Sequence, residues 1–157
     1  VSSSHIDTSR LDDEIATLVA AAETLLHDQF SHHSRTAAAV RTADGETYTG
    51  LHLDATISTE AVHAEPVAVA NAVRATDGTD DEGYTEPPEI TAVAAVSKQS
   101  PEDEAVVIPP CGSCRELLAD YAPEAAVAVP GEDGPRTRPL AELLPSDVME
   151  ITDHPRF

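Results

Sequence analysis

The chain has 157 residues, 41% of them hydrophobic, and sets 29 acidic residues against 9 basic ones for a formal charge of −20 at pH 7. That length and apolar content predict a single domain over 1–157, with flexible ends at 1–9 and 150–157. Such a charge repels phosphate backbones and excludes a nucleic-acid substrate, and no apolar run approaches the ~20 residues of a membrane span.

In chain order, Leu11, Ile15, Leu18, Ala22, Leu25 and Leu26 form the stripe of an amphipathic helix over 10–30, with Ser9 and Asp12 resembling a capping box. After the polar break "SHHSR", the segments "TAAAVRT" and "ETYTGLHL" flank "ADG" and predict a β-hairpin. A second helix is expected from about His63, since Pro66 is tolerated in a first turn. The acidic loop "DGTDDEGYTEPPE" follows, then "ITAVAAV", a nearly continuous apolar run expected to be a strand covered on both faces. "AVVI" leads to a third helix from about Gly112 that stops before Pro123; "AAVAVP" reads as a strand and "LAELL" as a short terminal helix. The order helix, hairpin, helix, strand, helix, strand predicts an α/β layered fold, its sheet antiparallel at the start and parallel later.

The chemistry gathers at two predicted helix starts. Cys111 and Cys114 are the only cysteines, and their i, i+3 spacing places both sulfurs on one face of a first helical turn. The positive end of a helix favours thiolates, which suits a metal and a redox pair equally. "VHAEP" places His63 and Glu65 at the other start. One imidazole and two thiolates make three protein ligands, which leaves the fourth tetrahedral position of a zinc ion open, as catalysis requires. On that reading His63, Cys111 and Cys114 hold Zn²⁺, and Glu65 reaches the bound water without ligating. The bland alternative is an ordinary histidine and two reduced structural thiols.

H-x-E followed by P-C-x-x-C is the pattern of the zinc-dependent nucleobase deaminases. At these residues the chain resembles the cytidine deaminase superfamily, and within it the blasticidin S deaminases most closely. "HLDATISTEAVHAE", "PCGSCRELLADYAP" and "ELLPS" are similar to stretches of that family in the same order, and the likeness runs over most of 32–148. The resemblance implies a three-layer α/β/α sandwich with a mixed sheet, one zinc per subunit, hydrolytic deamination of a 4-aminopyrimidine nucleoside, and a homotetramer or dimer. It also implies that the backbone near Ala64 and Cys111 meets the ring edge. Where relatives hold the ribose with N-x-E, this chain has His52 and Asp54, which can donate to and accept from a sugar hydroxyl. Ser34 and Val148 stand where many relatives carry aromatic residues.

The expected substrate is thus a small cytosine nucleoside, cytidine or deoxycytidine, in pyrimidine salvage. A blasticidin S-type nucleoside, a non-catalytic zinc protein and a CxxC redox protein are the competing readings. His32 and His33 read as solvated or interface histidines and Tyr121 as a packing residue. Arg115 either hydrogen-bonds a ligand sulfur or covers the helix side. The N-terminal stretch lacks the pattern of a signal peptide, so a cytoplasmic location is expected. The acidic, lysine-poor composition resembles that of proteins from a halophile's salt-rich cytoplasm.

Overall fold

The computed structural model describes residues 6–77, 79 and 81–145. The first apolar stripe folds as helix α1, Asp13–Gln29, with Ile15, Leu18, Val19, Ala22 and Leu26 buried. The capping box expected at Ser9 and Asp12 does not form. A turn closed by Leu11 N donating to Thr8 O delays the helix, so Asp12 becomes the N-cap without a side-chain cap bond, and Ser9 N donates to Asp7 Oδ1 instead. Of the ends expected to be flexible, 1–5 and 150–157 lie outside the described residues, as does Val148, whereas Ile6 packs against the α1 side of the core.

The hairpin forms as expected from β1, Thr36–Thr42, and β2, Thr47–Leu51. Its loop turns at Gly45, whose φ of 93° is one that a side chain disfavours. Helix α2, Ala64–Ala75, then leads to β3, Ile90–Ser97, and the two-residue β4, Val106–Val107. Helix α3, Gly112–Tyr121, is followed by β5, Ala126–Val129, and β6, Arg136–Pro139. The sheet order is β2-β1-β3-β5-β6, with β4 paired to the last residues of β3.

Two further details differ from expectation. Strand β6 is absent from the predicted order because "RTRP" carries no apolar alternation; it forms as an edge strand paired antiparallel to β5, so only β3 and β5 run parallel as neighbours. The terminal "LAELL" forms a 3₁₀ turn over Leu140–Leu143, since Pro139 and Pro145 leave too little chain between them for an α-helix.

Strand alternation builds two cores from one sheet. Ala37 and Ala39 of β1, with Ala92, Ala94 and Val96 of β3, face α1. Ala38 and Val40, with Val93 and Ala95, face α2 and Leu118 of α3. The register slips between Arg41 and Thr42, so that Ala92 and Ile90 are their partners and Thr91 is skipped. That bulge turns Ile90 onto the face of Val93. The result is the expected three-layer α/β/α sandwich, with α1 on one face and α2 and α3 on the other. Among the described residues no helix is long and apolar enough to cross a membrane.

Candidate active site

Strands β2 and β3 both run antiparallel to β1, so they are parallel to one another and end on the same side of the sheet. The chain leaving β2 enters α2 at His63, and the chain leaving β3 by way of β4 enters α3 at Cys111. Two helix N-termini on one sheet face are thereby brought together beyond the carboxyl ends of the strands, where ligands bind in α/β folds.

His63 is the N-cap of α2 and Cys111 the N-cap of α3, and neither side chain is spent on capping. Both turn toward each other: Cys111 Sγ lies 3.2 Å and Cys114 Sγ 3.3 Å from His63 Nδ1. The three donor atoms all lie within 4.8 Å of one another. Tetrahedral zinc with ordinary bond lengths holds nitrogen and sulfur donors roughly 3.5 Å apart, so this cluster needs only a few tenths of an ångström of expansion to accept the ion. The donor set therefore fits zinc, and three ligands leave one position free.

Cys114 is buried, while Cys111 is exposed and His63 half-buried. Burial pushes the Cys114 thiol well above its ordinary value, and the negative charge of Glu65 and hydrogen bonding with Cys111 push it further. Without a cation this thiol keeps its proton; a metal must displace it. Glu65 sits in the first turn of α2 and is only 4% exposed. It lines a cleft of about 190 Å³ together with Thr36, His52, His63, Ala64, Ile108, Pro109 and Cys111. This places a carboxylate beside an open cleft that His63 and Cys111 also line.

Of the other residues expected from sequence, Ala64 and His52 line this cleft, and the His52 ring is tilted against that of His63 with centroids 5.6 Å apart. Asp54 lies outside the lining: it is exposed, its N donates to His33 O, and its Oδ1 accepts from Ala55 N. Arg115 bonds no ligand sulfur. Its Nε donates to Pro110 O at 2.8 Å and its Nη1 to Leu143 O at 2.9 Å, which ties the loop before Cys111 to the last 3₁₀ turn.

Two contributors went unnoticed in the sequence. Thr36 lines the cleft although it reads as an ordinary strand residue. Gly50 of β2 lies under the start of α2, where a Cβ would come within 2.3 Å of both Ala64 O and Ala68 N. The absence of a side chain there lets the turn that carries His63 and Glu65 rest directly on the strand, and Asn71 Nδ2 fixes the helix by donating to Thr49 O at 2.9 Å.

No family model matches the chain. A blasticidin-S deaminase from Bacillus cereus is 31% identical over 137 residues, covering 87% of this chain and 91% of that protein. Among solved structures, the cytidine deaminase from Bacillus anthracis superposes with a TM-score of 0.70 at 24% identity, over 86% of this chain and 89% of the other. A mutant cytidine deaminase from Mycobacterium tuberculosis does so with a TM-score of 0.67 at 23% identity, over 91% of this chain and all of the other. With the blasticidin-S relative carrying the sequence likeness and the cytidine deaminases sharing the fold, the chain belongs to the cytidine deaminase superfamily.

Proposed function

We propose that this protein is a zinc-dependent hydrolase that converts a cytosine nucleoside, cytidine or deoxycytidine, to its uracil form with release of ammonia. The observation that carries the reading is the convergence of His63, Cys111 and Cys114 at two helix tips, with the buried Glu65 beside them in an open cleft. A structural site would have four protein ligands and no use for that carboxylate.

Zinc, when held by these three side chains, supplies Lewis acidity that makes water a nucleophile near neutral pH. The chain's own work is proton transfer and placement. Glu65 takes a proton from the attacking water and delivers it to ring N3, which makes C4 electrophilic. As the water oxygen bonds to C4, Glu65 carries that oxygen's second proton to the exocyclic amine, so that C4=O forms, the C4–N bond breaks and ammonia leaves. The backbone at Ala64 and Cys111 holds the ring edge, and His52 contributes to the sugar side of the cleft. A homo-oligomer, tetramer or dimer, is part of the same proposal, with sedimentation as its test.

The likeness to a blasticidin-S deaminase favours a second reading, in which a modified cytosine nucleoside is the substrate. Ammonia release by the zinc-loaded protein, with cytidine, deoxycytidine and blasticidin S run side by side, separates the two. Turnover of a simple nucleoside supports the first reading and turnover of blasticidin S alone the second. Silence on all three with zinc bound refutes both.

A further inference from the structure

Thr36 opens β1 at the cleft, beside His52, whose backbone N donates to the Thr36 carbonyl at 2.9 Å. The Thr36 hydroxyl is 3.1 Å from Ser97 Oγ on the neighbouring strand, and Ser97 Oγ is 2.9 Å from the carbonyl oxygen of Arg35. The direction of this chain of bonds is fixed by its last member. A carbonyl only accepts, so the single proton of Ser97 goes to Arg35 O, which also accepts from Lys98 N. Ser97 therefore meets Thr36 as an acceptor, and Thr36 spends its own single proton on Ser97. Ser97 is buried, so water does not compete for the bond. What Thr36 Oγ1 has left to offer the cleft is lone pairs alone.

We infer that Thr36 is a specificity-determining residue whose Oγ1 accepts a hydrogen bond from a sugar hydroxyl of the substrate. The inference rests on the nucleoside reading given above. A cytosine nucleoside carries two kinds of donor, the exocyclic amine and the sugar hydroxyls. The amine is the leaving group and belongs at the metal cluster beside Glu65. The hydroxyls remain, and an acceptor polarised by two further hydrogen bonds is matched to one of them.

The test uses the zinc-loaded full chain with Thr36→Val, which keeps the shape and removes the oxygen, Thr36→Ser, which restores it, and Ser97→Ala. Each is assayed with cytidine and its 2′-, 3′- and 5′-deoxy analogues. Steady-state kinetics give KM and kcat, and calorimetry in a Glu65→Gln background gives Kd without turnover. Thr36→Val is expected to raise KM and Kd for cytidine about 5- to 10-fold with little change in kcat, as loss of one neutral hydrogen bond implies. For one of the three deoxy analogues the same substitution should have no effect, because the hydroxyl it reads is already gone. Thr36→Ser should recover most of the loss, and Ser97→Ala, which frees the Thr36 proton, should blunt the discrimination. An equal loss on all four ligands, or none on any, overturns the inference. If Kd shows the pattern while the wild-type protein releases no ammonia, the deaminase reading fails and the Thr36 assignment stands; if no nucleoside binds, both fall.

Discussion

Gly50→Ala places a methyl group between β2 and the turn of α2 that carries His63 and Glu65. Its Cβ would lie 2.3 Å from Ala64 O, 2.3 Å from Ala68 N and 2.9 Å from Val67 C, all of them backbone atoms that cannot rotate away. The helix and strand must separate by roughly 1 Å to reach ordinary contact, an overpacking that typically costs about 1–3 kcal/mol. Melting temperature should then fall, at about 2–4 °C for each kcal/mol in a domain of this size. The site should suffer more than the fold, because a displacement of about 1 Å at reacting groups can cost about 10²-fold in rate. Zinc affinity, read by competition with a chromophoric chelator, should drop with it, since His63 moves relative to Cys111 and Cys114. The comparison is Gly112→Ala at the start of α3, where a Cβ meets nothing within 4 Å and alanine's helix preference should hold or raise stability. A Gly50→Ala protein with unchanged melting temperature and zinc affinity would refute the claim that close backbone contact at Gly50 positions the α2 tip.

Other outcomes follow from the same site. Glu65→Gln should retain zinc and lose about 10²–10⁴-fold in turnover, the usual worth of a general acid–base group; a rate near wild type would remove Glu65 from the mechanism. Because burial and then the Glu65 charge raise the Cys114 thiol, the folded metal-free protein holds that proton to higher pH than the unfolded chain does. The stability it contributes is fully present below the ordinary thiol value of 9.0 and is lost as pH rises beyond it. Urea unfolding of the metal-free protein from pH 8 upward should show that decline, and zinc binding at pH 7 should release thiol protons that a weakly buffered titration counts. Arg115→Met severs the bonds to Pro110 and Leu143, each from a charged donor, and should lower stability by about 2 kcal/mol while weakening zinc retention. With a formal charge of −20, melting temperature should rise as KCl screens self-repulsion; a salt-independent melting curve would contradict this.

What could be read from sequence was what local pattern determines. The α1 stripe, the hairpin around Gly45 and the start of α3 are fixed by spacing and by residues within a few positions, and they form where expected. His63, Glu65, Cys111 and Cys114 stood out because the chain's two cysteines and an H-x-E triplet sit at two predicted helix starts. What escaped depends on partners far along the chain. Strand β6 owes its existence to the edge of β5, since its own sequence has no strand-like alternation. Gly50 matters because of Ala64 and Ala68, and Thr36 because of Ser97; neither relation leaves a mark on neighbouring residues. His52 and Asp54 stand where relatives hold the ribose with N-x-E, and that resemblance implied a shared role at the sugar. But β2 ends at Leu51, and Asp54, whose N donates to His33 O, is exposed and outside the cleft lining.

X-ray absorption at the zinc edge of the loaded, substrate-free protein tests the central claim, an open metal site built from His63, Cys111 and Cys114. Two sulfur neighbours at about 2.3 Å and two lighter ones at about 2.0–2.1 Å, one from an imidazole and one from water, are expected. Cys111→Ser should remove one sulfur from that shell and leave the imidazole in place. A shell without sulfur, or one filled by a second imidazole in place of the water, would contradict it.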